Sequence, residues 1–331
     1  MTYPILTIII PTYNRANHLK VLLNVLRSEL EGLESQVRIL VSDNASSDHT
    51  HAIVSSMCTS WQEMNSQRHS KNVGPDKNFI SCLSQIETPY FWFIGDDDCP
   101  KHGIIRNIVS VILETEPALI HMQSEGVSAI SGPEQGTPVR EIEFQKLTSI
   151  EFAKKVHIWT TFISGMVISK THLDETLGSD EICRFDNTSL VQLGWVLPLL
   201  QHSGPFVLVK NKCILATIDN TGGYSAIQVF CINFPKIVNS VFGAESPLSR
   251  AMISSAIKYY LPDLVWNTRK KTDLGDVNSM KSLLSAAVQL RSYPLFLFLL
   301  VPLGKFPHFL ARPIFMMWRA IKKIMCSIKF F

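Results

Sequence analysis

No Cys-x-x-Cys pair occurs among the seven cysteines Cys58, Cys82, Cys99, Cys183, Cys213, Cys231 and Cys326. Their odd number and wide scatter indicate neither a zinc site nor a disulfide framework, so reduced cytoplasmic thiols are expected. No run of 18 apolar residues is present, which argues against a spanning helix. The amino terminus lacks a basic segment ahead of its apolar run, so no signal peptide is expected. No G-x-G-x-x-G follows the first apolar run and no G-x-x-x-x-G-K-[ST] occurs anywhere. Dinucleotide dehydrogenases and P-loop enzymes are therefore poor fits. Acid is also missing beyond Asp276, where eight of the 31 basic residues lie. The first 276 residues thus hold 23 basic against 28 acidic residues, a mildly acidic body ahead of a basic, apolar tail.

What the 331 residues do contain centres on Tyr90-Phe-Trp-Phe-Ile-Gly-Asp-Asp-Asp98. The unbroken apolar run Tyr90–Ile94 predicts a buried strand of a parallel sheet, ended by Gly95. The three aspartates then fall at a strand's carboxyl end, where open α/β sheets bind ligands. Adjacent carboxylates repel one another unless a cation neutralises them. Hard oxygen ligands suit Mg2+ or Mn2+, which in turn hold phosphate oxygens. The bland alternative is a solvated acidic turn.

Apolar runs and turn residues predict alternating elements along residues 5–122. Strands are expected at Ile5–Ile10, Val37–Val41, near Gln67–His69, at Tyr90–Ile94 and at Ala118–Met122. Between them lie a helix capped by Asn17 with Leu19, Leu22, Leu23, Leu26 and Leu30 on one face, and helices around Ile53–Met57 and Phe79–Ile86. A further helix is expected to start at Pro100. This alternation predicts a doubly wound, mostly parallel sheet. Residues 123–145 read as a loop or short antiparallel strands. A helix at 150–156, a strand at 162–168, a helix at 190–200 and a strand at 205–209 follow. Residues 235–290 read as helical.

Four polar clusters, Pro11–Arg15, Asp43–Asp48, Asn72–Asp76 and Asp96–Asp98, each lie at a predicted strand exit and would share one rim. The order Pro-Thr-Tyr-Asn-Arg, Val-Ser-Asp-Asn-Ala-Ser-Ser-Asp, Asn-Val-Gly-Pro-Asp-Lys-Asn and Ile-Gly-Asp-Asp-Asp resembles the family 2 glycosyltransferases, over about residues 5–122. Within that family it is most similar to O-antigen sugar transferases of the abequosyltransferase kind. The resemblance implies the GT-A fold, a Rossmann-like doubly wound sheet, here with a helical carboxyl-terminal region. It implies transfer of a sugar, such as a dideoxyhexose of the abequose type, from a pyrimidine nucleotide-sugar of the CDP or UDP type. The implied acceptor is a polyprenyl-diphosphate-linked oligosaccharide.

The resemblance also implies roles. Pro11, Thr12 and Tyr13 would line the base pocket and Arg15 would approach the donor. Asp43 would hydrogen-bond the pyrimidine edge, with Asn44 and Asp48 shaping its loop. Asn72, Gly74 and Asp76 would lie under the ribose and donor sugar. Asp96 and Asp97 would contact the donor, and Asp98, with Asp96, would ligate Mn2+ or Mg2+. Asp48 is equally a good helix cap, and Tyr13 could simply pack.

Beyond residue 122 the sequence departs from the family pattern. Inverting members carry a pair of acids before a helix that ends in glycine. Here Asp186 is the best-placed acid and candidate catalytic base, but Asn187 stands where the second would be; Asp180 and Glu181 are alternatives, and Asp186 could instead cap the helix at 190–200. Stereochemistry stays open, since abequosyltransferases are understood to transfer with retention.

Residues 1–122 are expected to form the nucleotide-sugar half, 123–234 the acceptor half and 235–331 a helical region with a membrane-associating tail. After Pro313 apolar residues recur at 314, 317, 318, 321, 324, 325 and 328, with Arg319, Lys322, Lys323 and Lys329 between them. Such a basic amphipathic helix suits an anionic membrane surface, or packs on the protein's own core or on a second subunit. The expectation is a peripheral enzyme on the cytoplasmic face of a bacterial inner membrane, with no nucleic-acid partner. Competing readings are a nucleotidyltransferase acting on a sugar phosphate, disfavoured by the missing basic glycine-rich loop, and a non-catalytic membrane-bound assembly factor.

Overall fold

The computed structural model describes residues 3–130, 132, 137–178, 181–201, 204–218, 224–271 and 277–328. They divide into two compact units, Met1–Phe152 with Trp159–Asn220, and Ala153–Ile158 with Thr221–Phe331.

The first unit is a sheet flanked by helices. β1 (Leu6–Thr12), β2 (Val37–Asp43), β3 (Met64–Arg68) and β4 (Tyr90–Phe93) alternate with α1 (Ala16–Glu29), α2 (Thr50–Ser60) and α3 (Pro75–Leu83). After β4 come β5 (Asp98–Pro100), α4 (Ile104–Thr115), β6 (Leu119–Val127), β7 (Phe144–Leu147), α5 (Ser149–Val156), β8 (Met166–Ser169), α6 (Lys170–Thr176), α7 (Leu193–Leu199) and β9 (Phe206–Thr217). The sheet runs β3-β2-β1-β4-β8-β6-β9-β5, with β7 on β9. β1, β2, β3 and β4 are parallel, and so are β6 and β9; β8, β5 and β7 join antiparallel.

β1 and β4 are continuous apolar runs because helices cover both faces of the sheet: Leu6, Ile8, Ile9, Ile10, Phe91, Trp92 and Phe93 are almost wholly buried. α4 seals one face with Ile104, Ile105, Ile108, Val109, Val111 and Ile112, all buried. The winding reverses between β1 and β4, since β2 and β3 lie to one side of β1 and β4 to the other. Ligands of such sheets bind outside the strand ends at that reversal.

The predicted doubly wound, mostly parallel sheet is present, and several local expectations shift. Asn17 lies inside α1 rather than capping it. The third strand is Met64–Arg68, not Gln67–His69. Pro100 ends β5 instead of starting a helix, because Asp98, Cys99 and Pro100 pair with Ala216, Leu215 and Ile214 of β9. The strand expected at 162–168 is shortened to β8 by a 3-10 turn at Ile163–Gly165, and the helix expected at 190–200 is shortened to α7.

The second unit is helical: α8 (Phe234–Phe242), α9 (Pro247–Tyr259), α10 (Leu261–Lys271), α11 (Val277–Gln289), α12 (Val301–Lys305) and α13 (His308–Ile328). A π-helical turn, Phe296–Leu300, precedes α12 and buries Phe296, Leu299 and Leu300. Among the described residues no helix is long and apolar enough to cross a membrane.

Candidate functional site: a carboxylate rim at the strand exits

The exits of β1 and β2 are laced together by their own turn residues. Asn14, with left-handed φ of 54°, donates its backbone N–H to Ser46 Oγ (2.9 Å) and accepts Ser47 N–H on Oδ1 (2.8 Å). Asn44 N–H reaches Thr12 O (2.9 Å). Asp48 does what its capping potential suggested, twice over: one oxygen accepts Thr50 N–H at the start of α2 (2.9 Å) and the other Ala16 N–H at the start of α1 (3.1 Å).

Asp43 closes β2 and is 1% exposed. Its Oδ1 accepts Ser46 N–H at 2.8 Å. Oδ2 is buried and has no hydrogen-bond partner, although Arg68 Nε stands 3.2 Å away. The two facts are compatible: the guanidinium neutralises the charge but is not aligned as a donor. Arg68 spends another N–H on Ser46 O (2.9 Å). A buried acceptor without a hydrogen bond is uncommon, and the ion pair with Arg68 leaves its hydrogen-bonding capacity unused.

Asn44 extends the rim towards α3. Its side chain donates to Asn72 Oδ1 (2.9 Å) and accepts Val73 N–H (2.9 Å), and Asn72 Oδ1 also accepts Gly74 N–H (2.8 Å). Gly74 takes φ of 89°, a conformation that disfavours side chains, and swings the chain into Pro75 at the first turn of α3.

The aspartates leave β4 directly opposite the end of β1. Thr12 Oγ1 donates to Asp96 Oδ2 (2.7 Å), Arg15 Nη1 lies 3.5 Å from Asp97 Oδ2, and Ser164 Oγ donates to Asp98 Oδ2 (2.5 Å). Ser164 also accepts Gly95 N–H (2.9 Å), and Thr217 Oγ1 donates to Asp97 O (2.7 Å). At Gly95 a side chain would crowd the cluster: a Cβ there would sit 3.2 Å from both Asp97 Oδ1 and Asp98 Oδ2. Burial pushes Asp96 up to about 6, assisted by the Asp97 charge and opposed by Thr12 and Arg15. Burial pushes Asp98 up to about 7, with Asp97 and Asp96 adding to it and the Ser164 hydroxyl opposing. Two carboxylates that titrate near neutrality at one ledge make a place for positive charge.

Asp76 faces elsewhere. It is buried in the first turn of α3, and its Oδ2 accepts Ser189 N–H (3.1 Å). Burial and the nearby Asp186 charge raise its pKa, while the backbone N–H groups of Ser189, Thr188 and Asn187 lower it. The structure therefore brings Asp186 to Asp76. Asp186 does not cap α7: its Oδ1 accepts Asn187 N–H (2.9 Å) within a turn in which Asn187 and Ser189 are both left-handed. Glu181 is exposed in the same segment, and Asp180 lies outside the described residues. Pro11 is half-buried at the end of β1, and Tyr13 is 43% exposed just beyond it.

Pro11, Thr12, Arg15, Asp43, Asn44, Asn72, Gly74 and the three aspartates therefore sit on linked strand ends and loops. Arg68 and Ser164 went unnoticed in the sequence. Arg68 could have been found as the cation that ends the third strand; Ser164, a lone serine in an apolar run, carries no signal.

This rim accords with a match over the chain. The family model for glycosyl transferase family 2 matches residues 7–175, half the chain and all of the rim up to Ser164. The chain belongs to glycosyl transferase family 2. Among curated members it is similar to the abequosyltransferase RfbV of Salmonella typhimurium, 37% identical over 90 residues, 27% of each chain. It is also 25% identical over 128 residues to the poly(ribitol-phosphate) beta-N-acetylglucosaminyltransferase TarS of Staphylococcus aureus, 39% of this chain and 22% of that one. These matches span only about a quarter of the relatives' length. As a fold, the family 2 chain is similar to the crystal structure of S. aureus TarS 1-349 in complex with UDP: TM-score 0.61, 16% identity, 98% of this chain and 91% of that one. A mannosyltransferase from Pyrobaculum calidifontis, in complex with GDP-Man and Mn2+, aligns at TM-score 0.53 and 11% identity, over 97% and 87%. The GT-A fold implied by the motifs is the fold these glycosyltransferases share.

Proposed function

We propose that this family 2 member transfers a sugar from a pyrimidine nucleotide-sugar to a polyprenyl-diphosphate-linked oligosaccharide in O-antigen or similar polysaccharide assembly. The donor is of the CDP or UDP type, and a dideoxyhexose of the abequose kind is the sugar suggested by the similarity to RfbV. The observation that carries the reading is the buried Oδ2 of Asp43 at the exit of β2, ion-paired with Arg68 but without a hydrogen bond. A pyrimidine offers an N–H to such an oxygen, at ring N3 of uracil or the exocyclic amine of cytosine. Tyr13 is exposed enough to cover the base, and Asn44, Asn72 and Gly74 line the path from base to ledge.

Asp98 and Asp96 would hold Mn2+ or Mg2+, with Asp97 drawn aside by Arg15. Among the described residues no three His, Cys, Asp or Glu side chains form a metal cluster. Two carboxylates alone would leave the remaining coordination positions to substrate phosphates and water. When bound, the ion supplies neutralisation of the departing diphosphate. The chain's own contribution is to orient: Thr12 fixes Asp96, Ser164 fixes Asp98, and Asp76 holds the turn that carries Asp186. Asp186 is the candidate base if transfer inverts. Residues 123–234 would receive the acceptor, and the protein would work peripherally at the cytoplasmic face of a bacterial inner membrane.

Calorimetric titration with CDP, UDP and GDP, each with and without Mn2+, tests the reading. Binding of a pyrimidine diphosphate that tightens with Mn2+ is expected. Equal binding of GDP, or no binding of any of the three, would overturn it.

A further inference from the structure

The tail helix α13 is held to the second unit by one side alone. Phe315 stacks on Trp266 with ring centres 4.5 Å apart, and Trp318 Nε1 donates to Lys258 O (3.1 Å). Lys322 pairs with Asp263 (2.8 Å), and Ala311 is fully buried. Two residues expected from the sequence to face a membrane, Trp318 and Lys322, are thus engaged with the protein itself. The packing requirement of an ordinary amphipathic helix is met by this side.

The opposite side is apolar again. Phe309 (72% exposed), Leu310, Met316, Met317 (61%), Ile321 and Ile324 (60%) all face solvent. At about 100° per residue they fall in one arc roughly 140° wide. Arg312, Arg319 and Lys323, all exposed, fall in a band about 40° wide between this arc and the packed side. No Asp or Glu follows Asp276 in the sequence, so the band has no acid on its own helix.

We propose that this outer side of α13 is a membrane-docking surface: the apolar arc enters the boundary between headgroups and acyl chains of an anionic bilayer, and the cationic band lies among the phosphates. The inference rests on the lipid-linked acceptor of the proposed function and names the surface that would bring the chain to it. Charge complementarity favours lipid over a second copy, because another α13 would present the same cations and no carboxylate. Docking leaves Phe315, Trp318 and Lys322 in place, so no part of the second unit has to open.

Co-sedimentation of the full chain with vesicles of phosphatidylglycerol and phosphatidylethanolamine tests this, with phosphatidylcholine vesicles as control. The wild type should sediment with the anionic vesicles several-fold more strongly than with the phosphatidylcholine control. The triple variant Met317→Gln/Ile321→Gln/Ile324→Gln, which touches none of the packed side, should bind roughly tenfold or more weakly at any salt concentration. The variant Arg312→Gln/Arg319→Gln/Lys323→Gln should bind several-fold more weakly, and its remaining binding should lose its salt dependence. Nucleoside diphosphate affinity, measured on the same samples, should be unchanged in both and reports that the rest of the chain is folded. Wild type that binds nucleotide but no vesicle overturns the docking surface and leaves the proposed function standing. A concentration-dependent dimer abolished by the first triple variant makes the arc a contact between copies and equally overturns the proposal. Vesicle binding without nucleotide binding keeps the docking surface and removes the donor reading instead.

Discussion

The rim and the turn at 185–189 both present carboxylates, but they are built in opposite ways. At the rim the aspartates are tied to residues far away in sequence: Asp96 by Thr12, Asp98 by Ser164, and Asp43 by its ion pair with Arg68, beside a local bond from Ser46 N–H. Those partners come from neighbouring strands and their exits, so the sheet itself sets the geometry. In the turn the contacts are local. Asp186 accepts its own neighbour's N–H, Thr188 Oγ1 donates to Phe185 O (2.6 Å), and Asn187 and Ser189 hold left-handed backbone. The link from turn to rim is the Ser189 N–H on Asp76. The rim is therefore preorganised by the sheet, whereas the turn hangs from a buried carboxylate.

The sharpest way to break this contrast is at the ledge. Asp98→Ala should abolish turnover, by roughly a thousandfold or more, while the fold stays intact by circular dichroism. Full activity in that variant, or undiminished activity in excess EDTA, would remove the ion from the reading. Next, Asp43→Ala should weaken nucleotide binding by about one to two orders of magnitude, since a charge-assisted hydrogen bond contributes about 1.5–3 kcal/mol. A dissociation constant within twofold of wild type would take Asp43 out of the base pocket.

Stability against pH sharpens the same point. The folded pKa values of Asp96 and Asp98, about 6 and about 7, lie above the ordinary 3.8. Between these limits the folded state holds protons the unfolded chain has released. Their contribution therefore falls as pH rises from about 4 to 7 and levels off above. For Asp98 the loss is on the order of 2–4 kcal/mol. Without metal, Asp98→Asn should melt above wild type at pH 8 and level with it near pH 4, and Mn2+ should stabilise wild type far more at pH 8 than at pH 5. Coincident melting curves for variant and wild type at pH 8 would show that the ledge is not strained by charge.

The turn should respond more mildly. Asp76→Asn should lower the transfer rate by roughly tenfold with nucleotide affinity unchanged, and should speed hydrogen exchange at the Ser189 amide. Loss of nucleotide affinity instead would return Asp76 to the donor. The smallest effect is expected for Asp186→Asn if transfer proceeds with retention. NMR of the product's anomeric configuration decides: an inverted product with near-complete loss of rate makes Asp186 the base.

The sequence disclosed the parallel half of the sheet because strands buried on both faces are written as unbroken apolar runs, and their polar exits stand out against them. It hid β5, three residues whose strand character comes from pairing with β9 more than a hundred residues later. It hid Ser164 for the same reason, and the direction of Asp76 because nothing local to Pro75–Leu83 mentions Ser189. On α13 the apolar residues were visible but their division was not. Trp318 and Met317 are equally apolar in sequence, and only the presence of Trp266 and Lys258 decides which of them turns inward.

Gly95 gives the ledge a tuning point independent of its charges. Its backbone is open to any residue, yet a methyl group would stand 3.2 Å from one oxygen each of Asp97 and Asp98, tighter than ordinary contact. Gly95→Ala would keep every carboxylate and every formal charge while displacing two oxygens by a few tenths of an ångström. An ion with strict octahedral demands, such as Mg2+, tolerates that less than a more accommodating one. If the ledge holds an ion as proposed, Gly95→Ala should therefore change which ion it prefers while every acidic residue is kept.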